Sequence, residues 1–477
     1  MSASATPETL QAEGVGRGDT NLVAALVFIA LVVAAIGSLG APLITSVAEA
    51  YDVSPSTAQW TLTITLLTGA VATPLLGRLG SAHRRRKVVL ATLAVVAVGS
   101  VATVVPAPFV VLLLGRAAQG VGLGLTALMM ATARQHLGDR AESTIAMLSV
   151  ASTVGIGVGY PIASLLVQIS GVRVAYLLGV VVAVAALITA VVTLPRDSSD
   201  APPKESVDWL GAFLLSVGLI AVLVVTSQSS WWSSNPLAVV SVLLGGAAVL
   251  AAWVAIERKV VHPLVDLTAL RHPAVAGANL VMFVAGIAMY LLFTLISRFV
   301  QTPQAVGYGY GLNEVEAGLV LVPFSALGFV AGRVVPKVRH KVSPFGILIA
   351  NGVVIALACV LFATIRGMGV VWPIMIMGLL GFGVGGFSAV MPQAILAVTP
   401  TEETAAAMSV NQVVRSVGFS IGSAVSGLIL AAHTMTGTFA PTDSGYSTAA
   451  WTAGALALVT IVLAAGINTS RSKQQQR

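Results

Sequence analysis

Charge is what this sequence lacks. Only 9% of its 477 residues are Asp, Glu, Lys or Arg, against about 25% in a soluble domain. Together with 57% hydrophobic residues and a mean hydropathy of +0.95, this excludes a water-soluble globular domain, a disordered tail protein and a nucleic-acid binder. One cysteine, Cys359, excludes an intramolecular disulfide. Six histidines scattered along the chain form no metal-ligand spacing, so neither a metal nor a cofactor is expected. Acids are scarcer than bases, 18 against 25, for a net charge of +7 and a pI near 9.8.

What is present is a series of apolar runs. A membrane-crossing helix needs about 20 mostly apolar residues, and the sequence offers fourteen such stretches, from 21–44 to 448–467. An even count puts both termini on one side, and the bases say which. With the N-terminus inside, 20 of the 25 fall on cytoplasmic segments and only Arg173 and Arg366 on outer loops. This is a strong positive-inside pattern. The expected location is a bacterial cytoplasmic membrane, multi-pass, with both termini cytoplasmic. Trp60, Trp231, Trp232, Trp372 and Trp451 at outer ends, with Trp209 and Trp253 toward inner ends, read as lipid anchors at headgroup level.

The expected organisation is a cytoplasmic tail over residues 1–20, a six-helix bundle over 21–194 and a polar, proline-rich linker over 195–208. A transmembrane hairpin over 209–256, a second six-helix bundle over 257–467 and a cytoplasmic tail over 468–477 follow. The bundles show weak self-similarity: Gly-Arg recurs at offset 255 from Gly77, and GVGLGLTALMM from Gly120 matches GVGGFSAVM at offset 263. Similar offsets in chain order predict two halves in the same orientation with the hairpin inserted between them.

Several stretches carry a family resemblance. They are GRLGSAHRRRK at Gly77–Lys87, GRAAQGVGLG at Gly115–Gly124, GIGVGYPIAS at Gly155–Ser164, HPLVDL from His262, QTP from Gln301, AGLVLVP from Ala317 and NQVVRSVGFSIGSAV from Asn411. On these the chain resembles the major facilitator superfamily, in particular its fourteen-span drug:proton antiporter group. The resemblance implies an all-α polytopic fold of two six-helix bundles plus the hairpin, fourteen transmembrane helices, and export of small lipophilic molecules. It also implies a gating loop comprising Gly77, Arg78, Leu79, Arg84, Arg85 and Arg86. The chain departs from the group at Ser81, where the loop motif carries an acid, and at Val33, where span one carries an aspartate.

Three arginines remain inside spans: Arg116, Arg298 and Arg415. An intramembrane charge is costly and normally faces a cavity. Arg116 and Arg415 are therefore expected to line one, whereas Arg298, close to an outer end, can snorkel. Asn411, Gln412 and Arg415 share a helical face by spacing. Further lining candidates come from the spans that line the path in this superfamily. They are Ser38, Trp60, Thr61, Gln119 and Tyr160 in the first half, and Asn279, Met282, Phe283, Tyr290, Phe387 and Met391 in the second. All 18 acids lie outside span interiors. If protons couple, the candidates are Glu314, Glu316, Glu49 and Asp52 at the outer mouth.

The reading is a secondary-active exporter of lipophilic small molecules by alternating access, with protons and membrane lipids as expected partners, acting as a monomer. A cavity whose buried charge is positive favours neutral, zwitterionic or anionic substrates over permanent cations. The alternative is a facilitator or a lipid or metabolite transporter without tight proton coupling. An enzyme is not expected, because no nucleophile–base pair or nucleotide loop occurs.

Overall fold

The computed structural model describes residues 7–40, 43–80, 84–197, 208–227, 235–260, 272–339, 341–434 and 440–475. The motif residues Ser81 and His262, the tryptophans Trp231 and Trp232 and the middle of the linker lie outside them.

The apolar runs become helices because in hydrocarbon every backbone N–H and C=O must be satisfied within its own segment. The first half comprises α1 (Pro7–Ser38), short α2 (Ile44–Tyr51) and α3 (Pro55–Ala58), α4 (Trp60–Leu79) and α5 (Arg85–Val104). It continues with α6 (Phe109–Val121), α7 (Leu125–His136), α8 (Ala141–Ser170) and α9 (Val172–Thr193). The hairpin is α10 (Trp209–Ser227) and α11 (Pro236–Glu257). The second half comprises α12 (Pro273–Gln301), α13 (Glu314–Val320), α14 (Val322–Val338), α15 (Pro344–Ile365), α16 (Val371–Leu396), α17 (Thr404–Ala432) and α18 (Asp443–Gln475). Where two labels share one span, local chemistry breaks the helix. Gly122–Gly124 tightens into a 3-10 turn between α6 and α7, and Pro323 opens α14.

Among the described residues thirteen helices are long and apolar enough to cross a membrane, while the apolar run Trp209–Val225 of α10 is shorter. Two differences from the sequence reading stand at the ends. The tail assigned to residues 1–20 is helical from Pro7, and α18 continues to Gln475. Both extensions carry Gln and Arg, with Glu in the first and Lys in the second, good helix formers whose polarity hides the helix from a hydropathy count. Large apolar side chains such as Val98, Val192 and Leu237, 71%, 77% and 80% exposed, point outward, where acyl chains would cover them.

The first half packs α1 on α8, α4 on α6 and α5 on α9; the second packs α14 on α16, α12 on α17 and α15 on α18. The hairpin lies across the seam between the halves: Leu215, Leu219 and Trp253 meet Leu75 of α4 and Val410, Val413 and Val417 of α17. Trp253 is 8% exposed, so it is a packing residue rather than the lipid anchor expected. Trp60 likewise packs toward Leu223 of α10. The halves meet along α8 and α14, from Val150 against Gly332 to Pro161 against Gly318 of the neighbouring α13. At one end of the seam Gly77 of α4 lies on α17, where a Cβ would strike Ser409 Oγ and sit 3.1 Å from the Ala405 carbonyl. Gly77→Val should therefore hold these two helix ends apart, at a cost on the order of 1–3 kcal/mol for overpacking. The expected result is a lower unfolding temperature in detergent than that of the unchanged protein, measured by thermal denaturation.

Candidate functional site

A cavity lies between the halves, lined by Ser152 and Thr153 of α8, Met289, Tyr290 and Phe293 of α12, Phe324 of α14, Val384 of α16, and Arg415 and Phe419 of α17. Four rings form its wall. Tyr290 stacks on Phe419 at 4.9 Å between centroids and on Phe293 at 5.3 Å, and Phe293 meets Phe324 edge-on at 5.3 Å. Its volume is about 40 Å³, room for little more than a water. A drug-sized ligand needs roughly 300 Å³ or more, so the halves must part to admit one.

Arg415 is the only charged residue of this wall. It stands about 17 Å along α17 from Thr404, near the middle of the helix at 1.5 Å per residue. Its guanidinium lies over the Phe419 ring at 5.8 Å, and among the described residues it has neither a hydrogen bond nor an acidic partner. Tyr290 and Arg415 are the sequence candidates that meet here. Phe293 and Phe419 escaped notice, although each sits three or four residues from a named candidate on the same helical face. Ser152, Thr153 and Phe324 gave no signal in the sequence.

Arg116 differs in every respect. It is 0% exposed, and its donors are spent on protein. Nε donates to the Thr61 carbonyl at 3.1 Å, Nη1 to the Ile36 carbonyl at 3.1 Å and to Gln119 Oε1 at 2.6 Å, and Nη2 to the Gly37 carbonyl at 3.4 Å. Ile36 and Gly37 lie in the last turn of α1, whose final carbonyls have no partner within the helix. Arg116 is thus a buried cap that also complements the negative end of α1 and ties α1, α4 and α6 together. Gln119 supports it, donating to Ser100 Oγ at 3.0 Å. Neither lines the cavity.

The remaining candidates scatter. Asn411 donates to Asn279 at 3.0 Å, and Asn279 donates to the Val275 carbonyl, so these two lining candidates instead join α12 to α17. Gln412 and Phe283 are half-buried nearby. Ser38 bonds its own helix at the Ala35 carbonyl, 2.8 Å, and Thr61 donates back to the Ala58 carbonyl at the end of α3, also 2.8 Å. Tyr160 rests against Gly318 where α8 meets α13. Met282, Phe387 and Met391 are core residues, 2%, 0% and 1% exposed.

None of the four outer acids reaches the cavity. Glu49 and Asp52 are exposed at the end of α2, and Glu316 completes a capping box with Asn313 at the start of α13, beside the half-exposed Glu314. In the basic loop Arg85 donates to the Gly80 carbonyl at 3.3 Å and to Gln135 at 2.5 Å, while Arg86 reaches the Val191 carbonyl at 2.7 Å. Arg84 is exposed, and Arg78 and Leu79 are half-buried. A cross-half contact that the sequence did not suggest lies close by. Arg134, at the end of α7, donates to the Leu396 and Thr399 carbonyls at 2.9 and 2.7 Å and to Thr404 Oγ1 at 2.9 Å. Arg339 pairs with Glu142 on the same side.

Similarity to known proteins agrees with this architecture. The Major Facilitator Superfamily profile matches residues 26–423. An uncharacterized MFS-type transporter of Bacillus subtilis, YvkA, is 24% identical over 88% of this chain and 92% of its own length. A multidrug resistance protein B homolog of Mycobacterium tuberculosis is 26% identical over 78% of this chain and 68% of its own. Some relatives are longer, and the chain spans 54% of two of them. The crystal structure of the human organic anion transporter MFSD10 (TETRAN) superposes with a TM-score of 0.68 at 14% identity, covering 94% of this chain and 99% of that one; at that identity the likeness is one of fold. With this profile running through both halves and the seam between them, the chain belongs to the Major Facilitator Superfamily.

Proposed function

We propose that the protein is a secondary-active exporter of lipophilic small molecules that works by alternating access, in a bacterial cytoplasmic membrane with both termini inside. The observation that carries this reading is the aromatic cavity at the seam, with the halves joined at one end by Arg134 and at Gly77, and too small to hold a substrate until the halves part. Rocking about such a seam exposes the same wall to either side in turn. Relatives named multidrug resistance proteins support export as its direction. With Arg415 in the wall, neutral, zwitterionic or anionic lipophiles suit it and permanent cations do not.

Protons are the coupling ion that the family resemblance leads one to expect. The second reading, transport without tight proton coupling, is favoured by the placement of Glu49, Asp52, Glu314 and Glu316 on the outer surface, away from the cavity.

The test is dye efflux from an efflux-deficient bacterial host expressing the protein. Phenylnaphthylamine, a neutral lipophile, should leave the cells, and ethidium should not. Phe419→Ala should weaken phenylnaphthylamine efflux about tenfold, by loss of ring contacts worth ~1.4 kcal/mol. Ethidium efflux as strong as that of the neutral dye, or no response to Phe419→Ala, would refute the site.

A further inference from the structure

We infer, building on the transporter reading above, that the cavity exports lipophilic monoanions and that the membrane potential drives them, with Arg415 as the charge that crosses when the carrier is empty. A cation held within a membrane domain is normally paired with an acid or with backbone carbonyls. Arg116, 0% exposed, is so paired. Arg415, among the described residues, has no hydrogen bond and no acidic partner: the other polar residues of the wall are Ser152, Thr153 and Tyr290, and its guanidinium lies over the Phe419 ring. The missing partner is an anion, and the rings specify that the anion is attached to an apolar, aromatic-sized body. A single guanidinium neutralises a single negative charge, so a monoanion leaves the loaded cavity neutral. A neutral or zwitterionic ligand leaves it carrying +1.

The energetics follow from where that charge sits in each half of the cycle. Opened inward, the water-filled cavity puts Arg415 at the inside potential; opened outward, at the outside potential. The loaded carrier moves outward with no net charge at the site. After release outside, the empty carrier returns with one positive charge moving inward. Each turn therefore carries one negative charge out, a direction that an inside-negative potential favours. One charge across 100 mV is worth about 2.3 kcal/mol, which converts to about 50-fold accumulation outside. No proton need be exchanged to achieve it. Among the described residues the titratable groups of the wall are Arg415 and Tyr290 alone, and no carboxylate lines it.

The test uses the full chain in proteoliposomes with two probes of one shape: anilinonaphthalene sulfonate, whose charge is fixed, and neutral phenylnaphthylamine. A potential is set with valinomycin and a potassium gradient at equal pH; a pH gradient is set separately with the potential held at zero. The expected result is sulfonate movement that follows the potential, in sign and size, and ignores the pH gradient. Arg415→Gln should cut sulfonate transport at least tenfold, and Arg415→Lys should restore most of it with the same potential dependence. Tryptophan-quenching titration of each purified variant separates lost binding from misfolding. Sulfonate transport that follows the pH gradient and not the potential, or that survives Arg415→Gln unchanged, would overturn this inference while leaving the exporter reading intact. Failure of both probes to move in either gradient would instead count against the exporter reading itself.

Discussion

Arg116→Ala should destabilise the protein by about 3–5 kcal/mol, the cost of breaking a buried charged network by removing one partner. It should be seen as a much lower unfolding temperature in detergent and a sharply reduced yield. The reason is local. The truncation strands the Ile36 and Gly37 carbonyls at the end of α1, together with the Gln119 amide oxygen, and each loses a charged donor. Water entering the space left by the side chain can hydrogen-bond these buried oxygens but brings no positive charge, so it does not restore the donor. Arg116→Lys should recover little. An ammonium is a compact point charge, whereas Arg116 bonds three backbone carbonyls and one side chain through a planar fork. Gln119→Ala, which leaves the carbonyl contacts in place, should cost clearly less. An Arg116→Ala protein with wild-type yield and unfolding temperature would overturn the capping role.

Arg134→Ala should shift the carrier toward its cytoplasm-open arrangement by roughly 10- to 100-fold. The Leu396 and Thr399 carbonyls stand at the C-terminal end of α16, the negative end of that helix, and Arg134 caps them from the opposite half. A hydrogen bond to a charged group contributes about 1.5–3 kcal/mol, enough for that shift even if only one such bond is lost in net terms. Unlike Arg116, this arginine bonds across the seam, so its loss moves an equilibrium between conformations rather than unfolding either half. The measurement is labelling of an Ala405→Cys variant by a membrane-impermeant thiol reagent in inverted vesicles. Ala405 is 3% exposed at the start of α17, and the native Cys359, 1% exposed, contributes little background. Labelling should rise by at least tenfold with Arg134→Ala and further when Glu142→Ala also removes the pairing with Arg339. Unchanged labelling in the double variant would sink the clamp.

These two arginines mark where the sequence stops being informative. Arg116 and Arg415 look alike along the chain, each a lone base in an apolar helix, and both are expected at a cavity. Their difference lies in partners far away in sequence. Two of the three carbonyls that occupy Arg116 come from α1, 79 and 80 residues earlier, and the third from α4, 55 residues earlier, and no pattern within its own helix announces them. Arg134 is read as one more topology-setting base, because the helix end it caps lies more than 260 residues downstream. Trp253 likewise satisfies the rule for a headgroup anchor until the hairpin folds over α4 and α17 and buries it.

Fold class, by contrast, was determined by the sequence itself. Hydrocarbon leaves the backbone no alternative to helices, so long runs of Ala, Val, Leu and Gly dictate spans whatever their neighbours are. The paired motifs at similar offsets then imply two like halves. What only the tertiary structure decided is which polar groups are satisfied by protein and which remain open to a ligand. That distinction depends on contacts between helices, and between halves, that the chain order does not encode locally. It assigns Arg116 to the frame, Arg134 to the seam, and leaves Arg415 facing a ring of aromatics with no partner of its own.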